Sequence, residues 1–217
     1  MKQVEQLLAE KLLKISAIIL QLENPFTWAS GWNSPIYTDN RKTLSYPDIR
    51  SFIKVELTRM IMENFRDAEV IAGVATGAIA QGALVADLLG LPYVYIRSTP
   101  KDHGLENLIE GNLKPGQKVV VIEDLISTGK SSLKAVEAVR NAGGKVIGMA
   151  ALFTYGFPVA EQNFRDAGVK LLTLSNYNAM IQAALKTGYI QDTDVETLQE
   201  WRKDPANWSP NSDKNIE

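Results

Sequence analysis

Five short apolar runs, rich in β-branched residues and spaced far enough apart to admit helices or turns, constrain this chain most. They are VIAGV at 70–74, YVYI at 93–96, KVVVI at 118–122, VIGMAALF at 146–153 and KLLTL at 170–174. Continuous rather than alternating apolar character predicts strands buried on both faces. Helical stretches between them predict the covers, so the fold class is α/β, a mostly parallel twisted sheet flanked by helices. Helices are expected at 47–65, where Ile49, Phe52, Ile53, Leu57, Met60 and Ile61 share a face behind Pro47, then up to Leu89, at 131–141 and from near Asn176. Ligands of such open sheets bind beyond the carboxyl ends of the strands, which points to the residues after Val74, Ile96 and Ile122.

Ahead of the first run, Leu7, Leu8, Leu12, Leu13, Ile15, Ile18, Ile19 and Leu22 recur at helical spacing up to Pro25, predicting one amphipathic helix. Residues 26–37 are rich in Trp, Ser, Gly and Pro and read as a turn-laden excursion with two short strands. There is no internal repeat.

Composition removes several classes of function. A formal charge of -2 gives no polybasic face for nucleic acid or lipid headgroups. The chain has no cysteine and one histidine, His103, which excludes disulfides, thiolate sites and histidine clusters. No stretch approaches the ~20 apolar residues of a membrane span. The polar, acidic start is unlike a secretory signal, so a cytoplasmic location is the expectation.

The segment VVVIEDLISTGKSS at 119–132 carries the chemistry. Apolar strand residues run into the acidic pair Glu123 and Asp124, then a Ser-Thr-Gly turn and the start of a helix. Such a turn offers free backbone N–H groups and the positive end of a helix dipole, both suited to a phosphate. Two carboxylates beside a phosphate cradle repel it unless they meet hydroxyl groups or a cation first. A magnesium-bound ribose 5-phosphate satisfies that requirement. Gly129, Lys130 and Ser131 imitate the end of a Walker A loop, but Asp124 stands where that motif needs its first glycine.

This segment is similar to the phosphoribosyl pyrophosphate (PRPP) motif of type I phosphoribosyltransferases. FTWASGWNSPIYTDNR at 26–41, YIRSTPKDHG at 95–104 and NLIEG at 107–111 narrow the resemblance to orotate phosphoribosyltransferases, in the form seen in Gram-positive bacteria. It runs from about residue 7 to 208, nearly the whole chain. The resemblance implies transfer of the phosphoribosyl group of PRPP to orotate, in pyrimidine biosynthesis, with Mg²⁺ carried by PRPP rather than held in a protein cage. Glu123 and Asp124 would hold the ribose hydroxyls, and the stretch Leu125, Ile126, Ser127, Thr128, Gly129, Lys130 and Ser131 would wrap the 5-phosphate. Arg97, Lys101 and His103 would handle pyrophosphate, with Lys101, His103 and Asp124 catalytic. Ser127, Thr128, Phe26, Ile36 and Tyr37 would meet orotate.

The resemblance further implies a single domain in which residues 1–45 form a small hood over the base, while the polar, aperiodic stretch 205–217 reads as a frayed tail. It also implies a homodimer with shared sites, a mobile loop running from Ser98 to about Leu113. Several family lysines are missing, at Ala29, Asn33, Gly77, Ser98 and Thr99, while Lys130 is a cation where relatives often have glycine. Two other readings share the motif. A phosphoribosyltransferase for another base is disfavoured by the hood sequence. A PRPP-binding regulator is disfavoured by the absence of a basic surface and by the retention of Lys101 and His103.

Overall fold

The computed structural model describes residues 2–28, 30–99 and 108–209. In chain order it contains α1 (Lys2–Lys14), β1 (Ile18–Leu20), β2 (Phe26–Thr27), β3 (Asn33–Ser34), β4 (Ile36–Thr38), a 3-10 turn (Asn40–Ser45), α2 (Pro47–Asn64), β5 (Val70–Val74), α3 (Ile79–Leu89), β6 (Tyr93–Ile96) and β7 (Ile109–Glu110). It continues with β8 (Lys118–Ile126), α4 (Lys130–Asn141), β9 (Lys145–Thr154), α5 (Pro158–Asp166), β10 (Leu171–Asn176), α6 (Tyr177–Lys186) and α7 (Asp192–Lys203).

Six strands form one sheet in the order β10-β9-β8-β5-β6-β7, parallel except for the β6–β7 pair. The five apolar runs therefore fold as expected, and alternate residues of each face opposite cores. On β8, Val120 and Ile122 join the cluster built by α1, α2, α3, α6 and α7. Val119 and Val121 join the one under α4 and α5. After β5 the chain winds outward to β6 and β7, and then β8 returns to the other side of β5. The strand order thus reverses between β5 and β8, and a crevice opens there at the carboxyl ends. Pairing of Gly73 with Ile122 and of Val74 with Ile96 brings the ends of β5 and β6 level with each other and with the middle of β8, which carries Glu123 and Asp124 past them and stays paired with β9 as far as Ile126.

The structure departs from the sequence reading at the N-terminus. The apolar periodicity through Leu22 is not one helix: α1 stops at Lys14, and Ser16 takes a left-handed φ of 54°. Ile18 and Leu20 then alternate inward as β1, paired antiparallel with β4, Ile18 opposite Thr38. Over so short a stretch, helical and strand spacings place the same leucines and isoleucines inside. The interrupting residue, a serine, carries no strong signal. At the other end, order extends past residue 205, because Trp208 packs against the larger core and its N–H donates to the Asp204 carbonyl at 3.1 Å. Strand β7 also cuts the expected 98–113 loop short, pairing Ile109 with Ile96 and Glu110 with Tyr95.

A non-glycine residue in the left-handed region is strained by roughly 1 kcal/mol, which glycine relieves at some entropic cost to the unfolded chain. Ser16→Gly should therefore raise unfolding stability by about 0.5 kcal/mol. Urea denaturation of the two proteins checks this, and a lower midpoint for the glycine variant would contradict it.

Candidate active site

The crevice between β5 and β8 is lined by the acidic pair at the end of β8. Glu123 is 5% exposed and has partners for both oxygens. Oε1 accepts from the Asp124 N–H at 3.0 Å, and Oε2 accepts from Ser132 Oγ at 2.9 Å. Burial, and after it the neighbouring Asp124 carboxylate, push the Glu123 carboxyl well above the usual carboxylate range. Asp124 is half-buried and also raised, first by burial, although the bond with Glu123 and the charge of Arg41 pull it part of the way back. Its carboxylate lies over the turn that follows β5: a Cβ added to Gly77 would come within 2.6 Å of Oδ1, with the rest of the carboxylate closer still.

Beyond Ile126 the chain turns through Ser127, Thr128 and Gly129 into α4. Gly129 has φ of 77°, and a Cβ there would stand 2.7 Å from the Phe164 ring, so glycine is required on two counts. Among the described residues no side chain caps α4, which leaves its first N–H groups directed at the turn beside half-buried Ser127 and Thr128 and exposed Lys130 and Ser131. Helix α5 fixes this turn from behind through Phe164 and through Asn163, whose Nδ2 donates to the Thr128 carbonyl at 2.9 Å. Leu125 is half-buried and Ile126 fully buried, so Ile126 can meet a ligand only through its backbone.

The third wall comes from the N-terminal segment. Asn40 Nδ2 donates to the Asp124 carbonyl at 2.6 Å, while its buried Oδ1 has no partner among the described residues. Arg41 is paired with Asp39 at 2.7 Å and adds positive potential at Asp124. Phe26 and Tyr37 pack with ring centroids 5.4 Å apart, and Tyr37 is 39% exposed. Ile36, expected beside them, instead turns into the core, fully buried. It anchors the segment through its carbonyl, which accepts from Trp28 Nε1 at 2.9 Å. Tyr155, at the end of β9, donates its hydroxyl to Thr38 Oγ1 at 2.8 Å. Sequence reasoning gave no role to Asn40, Thr38, Tyr155 or Ser132. The run TDNR at 38–41 was the available signal for the first two, while Tyr155 and Ser132 announce nothing locally.

Arg97 stands at the carboxyl end of β6 with its guanidinium 3.4 Å from Glu110 on β7. Lys101 and His103, like Ala29, lie outside the described residues. Among the described residues no group of three or more His, Cys, Asp or Glu side chains could hold a metal ion. No described helix is long and apolar enough to cross a membrane.

This arrangement has counterparts. Residues 52–187 match the phosphoribosyl transferase domain family. Orotate phosphoribosyltransferase of Bacteroides fragilis is 70% identical over 208 residues, covering 96% of this chain and 98% of its own. That of Listeria monocytogenes is 53% identical over 205 residues, covering 94% and 98%. The expected Gram-positive affinity is thereby corrected, since the Bacteroides protein is much more similar than the Listeria one. Among solved structures, Leishmania donovani UMP synthase superposes with a TM-score of 0.77 at 26% identity, covering 91% of this chain, which spans only 42% of that longer one. Mycobacterium tuberculosis orotate phosphoribosyltransferase in complex with PRPP gives 0.62 at 25% identity, covering 82% and 98%. With the acid pair, the uncapped α4 turn and the sheet order all in place, the chain belongs to the orotate phosphoribosyltransferase family.

Proposed function

We propose that the ends of β5 and β8 and the hood form the site at which this chain transfers the 5-phosphoribosyl group from PRPP to orotate, giving orotidine 5′-monophosphate and pyrophosphate. The observation that carries the reading is the juxtaposition, on one strand end, of the half-buried Asp124 and the uncapped start of α4. The N–H groups and hydroxyls of residues 127–131 take the 5-phosphate, and Asp124 takes the ribose hydroxyls one turn away. Glu123 stands behind it and holds the Asp124 N–H. Glu123 reaches the sugar only by giving up its bond from Ser132.

As pyrophosphate leaves C1 the sugar becomes cationic, which a nearby carboxylate stabilises, while Arg97, Lys101 and His103 meet the departing charge. Phe26 and Tyr37 cover the base and Ser127 or Thr128 lies beside it. The donor set suits a hard divalent ion that arrives on PRPP: one protein carboxylate, with the remaining oxygens supplied by substrate and water. A Mg²⁺ ion carried there would supply charge neutralisation for the leaving group, with Asp124 the carboxylate placed to face it. The active unit is a cytoplasmic homodimer, without nucleic-acid or membrane partners, in which the segment after Arg97 reaches the partner's site. Its roughly ten residues can span about 30 Å at ~3.3 Å each.

Turnover should require Mg²⁺ or Mn²⁺ and stop in excess chelator. Undiminished product formation in chelator, followed by mass, would remove the metal from the scheme.

Asp124→Asn should weaken PRPP binding by about 10- to 100-fold, the range for losing a charged hydrogen bond. The same substitution should stabilise the unliganded fold. The Asp124 pKa is raised on folding, so at higher pH the folded chain carries a charge at a cost the unfolded chain avoids. The Tm gain of the asparagine variant should be present near pH 8. It should fade as pH falls and vanish below the ordinary carboxylate range, ~4, where Asp124 is protonated in both states. Calorimetry across pH checks the sign, and a Tm loss at pH 8 would reverse it.

Shared sites have their own signature. Lys101→Ala and Asp124→Asn dimers should each be nearly inactive, and mixing them should restore activity, because one site of the mixed dimer carries neither substitution. Confirmed subunit exchange without recovery would mean that each site is built within one chain.

A further inference from the structure

Two consecutive residues of helix α7 brace Asn33 in the N-terminal segment and the turn that follows β9. Trp201 is fully buried. Its Nε1–H donates to the Asn33 carbonyl at 3.2 Å, and its ring meets Trp28 edge-on at 5.6 Å and Tyr155 at 5.8 Å. Arg202 turns the other way. Its Nε donates to the Tyr155 carbonyl at 3.1 Å, Nη2 to the Gly156 carbonyl at 2.9 Å and Nη1 to Asn178 Oδ1 at 3.2 Å. The guanidinium lies 4.9 Å from the centre of the Tyr177 ring, a cation–π contact that fixes its plane. Gly156 has φ of 63°, and a Cβ there would come within 2.9 Å of Nη2, so the turn and the arginine are fitted to each other.

Both contacts converge on Tyr155. Its carbonyl is held by Arg202, and its ring lies between Trp28 at 5.1 Å and Phe157 at 5.6 Å. Its hydroxyl donates to Thr38 Oγ1. Burial raises the phenol above its ordinary pKa, so it remains a neutral donor. Thr38 closes β4, two residues before Asn40, which holds the Asp124 carbonyl. With its oxygen accepting from Tyr155, the Thr38 hydroxyl has its own hydrogen left to donate. Half-buried Thr38, two residues before Asn40, thus keeps a hydroxyl hydrogen to donate.

We propose that Trp201 and Arg202 are positioning residues for the base: through Tyr155 they orient the Thr38 hydroxyl toward a carboxylate or ring carbonyl oxygen of the pyrimidine. They set affinity for the base and leave that for PRPP unchanged. The inference rests on the orotate reading above and adds residues that reading does not use.

Initial rates with both substrates varied test it, on Arg202→Met, Tyr155→Phe, Thr38→Val and the neighbouring exposed Lys203→Met as control. The KM for orotate should rise about tenfold in Arg202→Met and about three- to tenfold in each hydroxyl deletion, the ranges for losing charged and neutral hydrogen bonds. The KM for PRPP should stay within about twofold, and Lys203→Met should match the unaltered chain. Arg202→Lys should recover part of the loss, since an ammonium can reach one of the two carbonyls. If Arg202→Met loses its cooperative melt, the two hydroxyl deletions decide. Unchanged orotate KM in Tyr155→Phe and Thr38→Val, or PRPP KM rising in step with it, would overturn the proposal alone. Failure of the unaltered chain to use orotate would overturn the functional reading and this proposal with it.

Discussion

The site depends on keeping a carboxylate half out of water at the end of β8, pressed against a turn that has no Cβ to displace it. Three elements cooperate to hold Asp124 there. The β5 turn presents Gly77, the 3-10 turn supplies the Asn40 bond to its carbonyl, and Glu123 accepts from its N–H while Ser132 steadies Glu123. Burial raises the Asp124 carboxyl above the usual carboxylate range, and on the proposed reading the ribose hydroxyls of the substrate would offset that cost. The missing lysine at position 77 then has a structural reason. Any side chain at Gly77 would drive the carboxylate out of its present place, so a lysine there and this placement of Asp124 exclude each other.

The two faces of the sheet divide the work. On the α4 and α5 side, Phe164 and Asn163 fix the turn proposed to take the phosphate and force glycine at 129. On the other side the larger core carries α1, α6 and α7, and through Trp28, Tyr155 and Trp201 it fixes the segment proposed to cover the base. The phosphate end is therefore set by a local strand–turn–helix unit, and the base end by contacts between segments more than a hundred residues apart.

That division explains what the sequence could show. The strands at 70–74 and 118–122, the acid pair and the glycine turn were legible because each is a local pattern, a β-branched run, charge, then small residues before a helix; that β8 continues through the acids to Ile126 was not, since Glu and Asp carry no strand signal. The 3.6-residue spacing of Leu12, Leu13, Ile15, Ile18 and Ile19 misled, since β1 buries some of the same positions by alternation and the break at Ser16 has no strong marker. Ile36 looked like part of an aromatic hood and proved to be its anchor, because in β4 its neighbour Tyr37 takes the outward face. Helices α5 and α7 are short and polar outside. Their contributions, Asn163 to Thr128 and Trp201 to Asn33, are long-range bonds that no window of sequence contains.

Charge at the leaving-group end follows from the same geometry. Arg97 is engaged with Glu110, which tethers it to β7 and tempers its field. Arg41 is tied to Asp39 in the same manner. A cation already paired inside the protein is fixed in direction and contributes less net potential to an incoming anion than an unpaired one. On the proposed reading, pyrophosphate must therefore draw neutralisation from the ion it carries and from the segment bearing Lys101 and His103. Departure of the leaving group is then coupled to placement of that segment, while recognition of the sugar phosphate is complete without it. Chemistry that waits for a loop but binds without one is protected from water attacking the sugar before the base is in place.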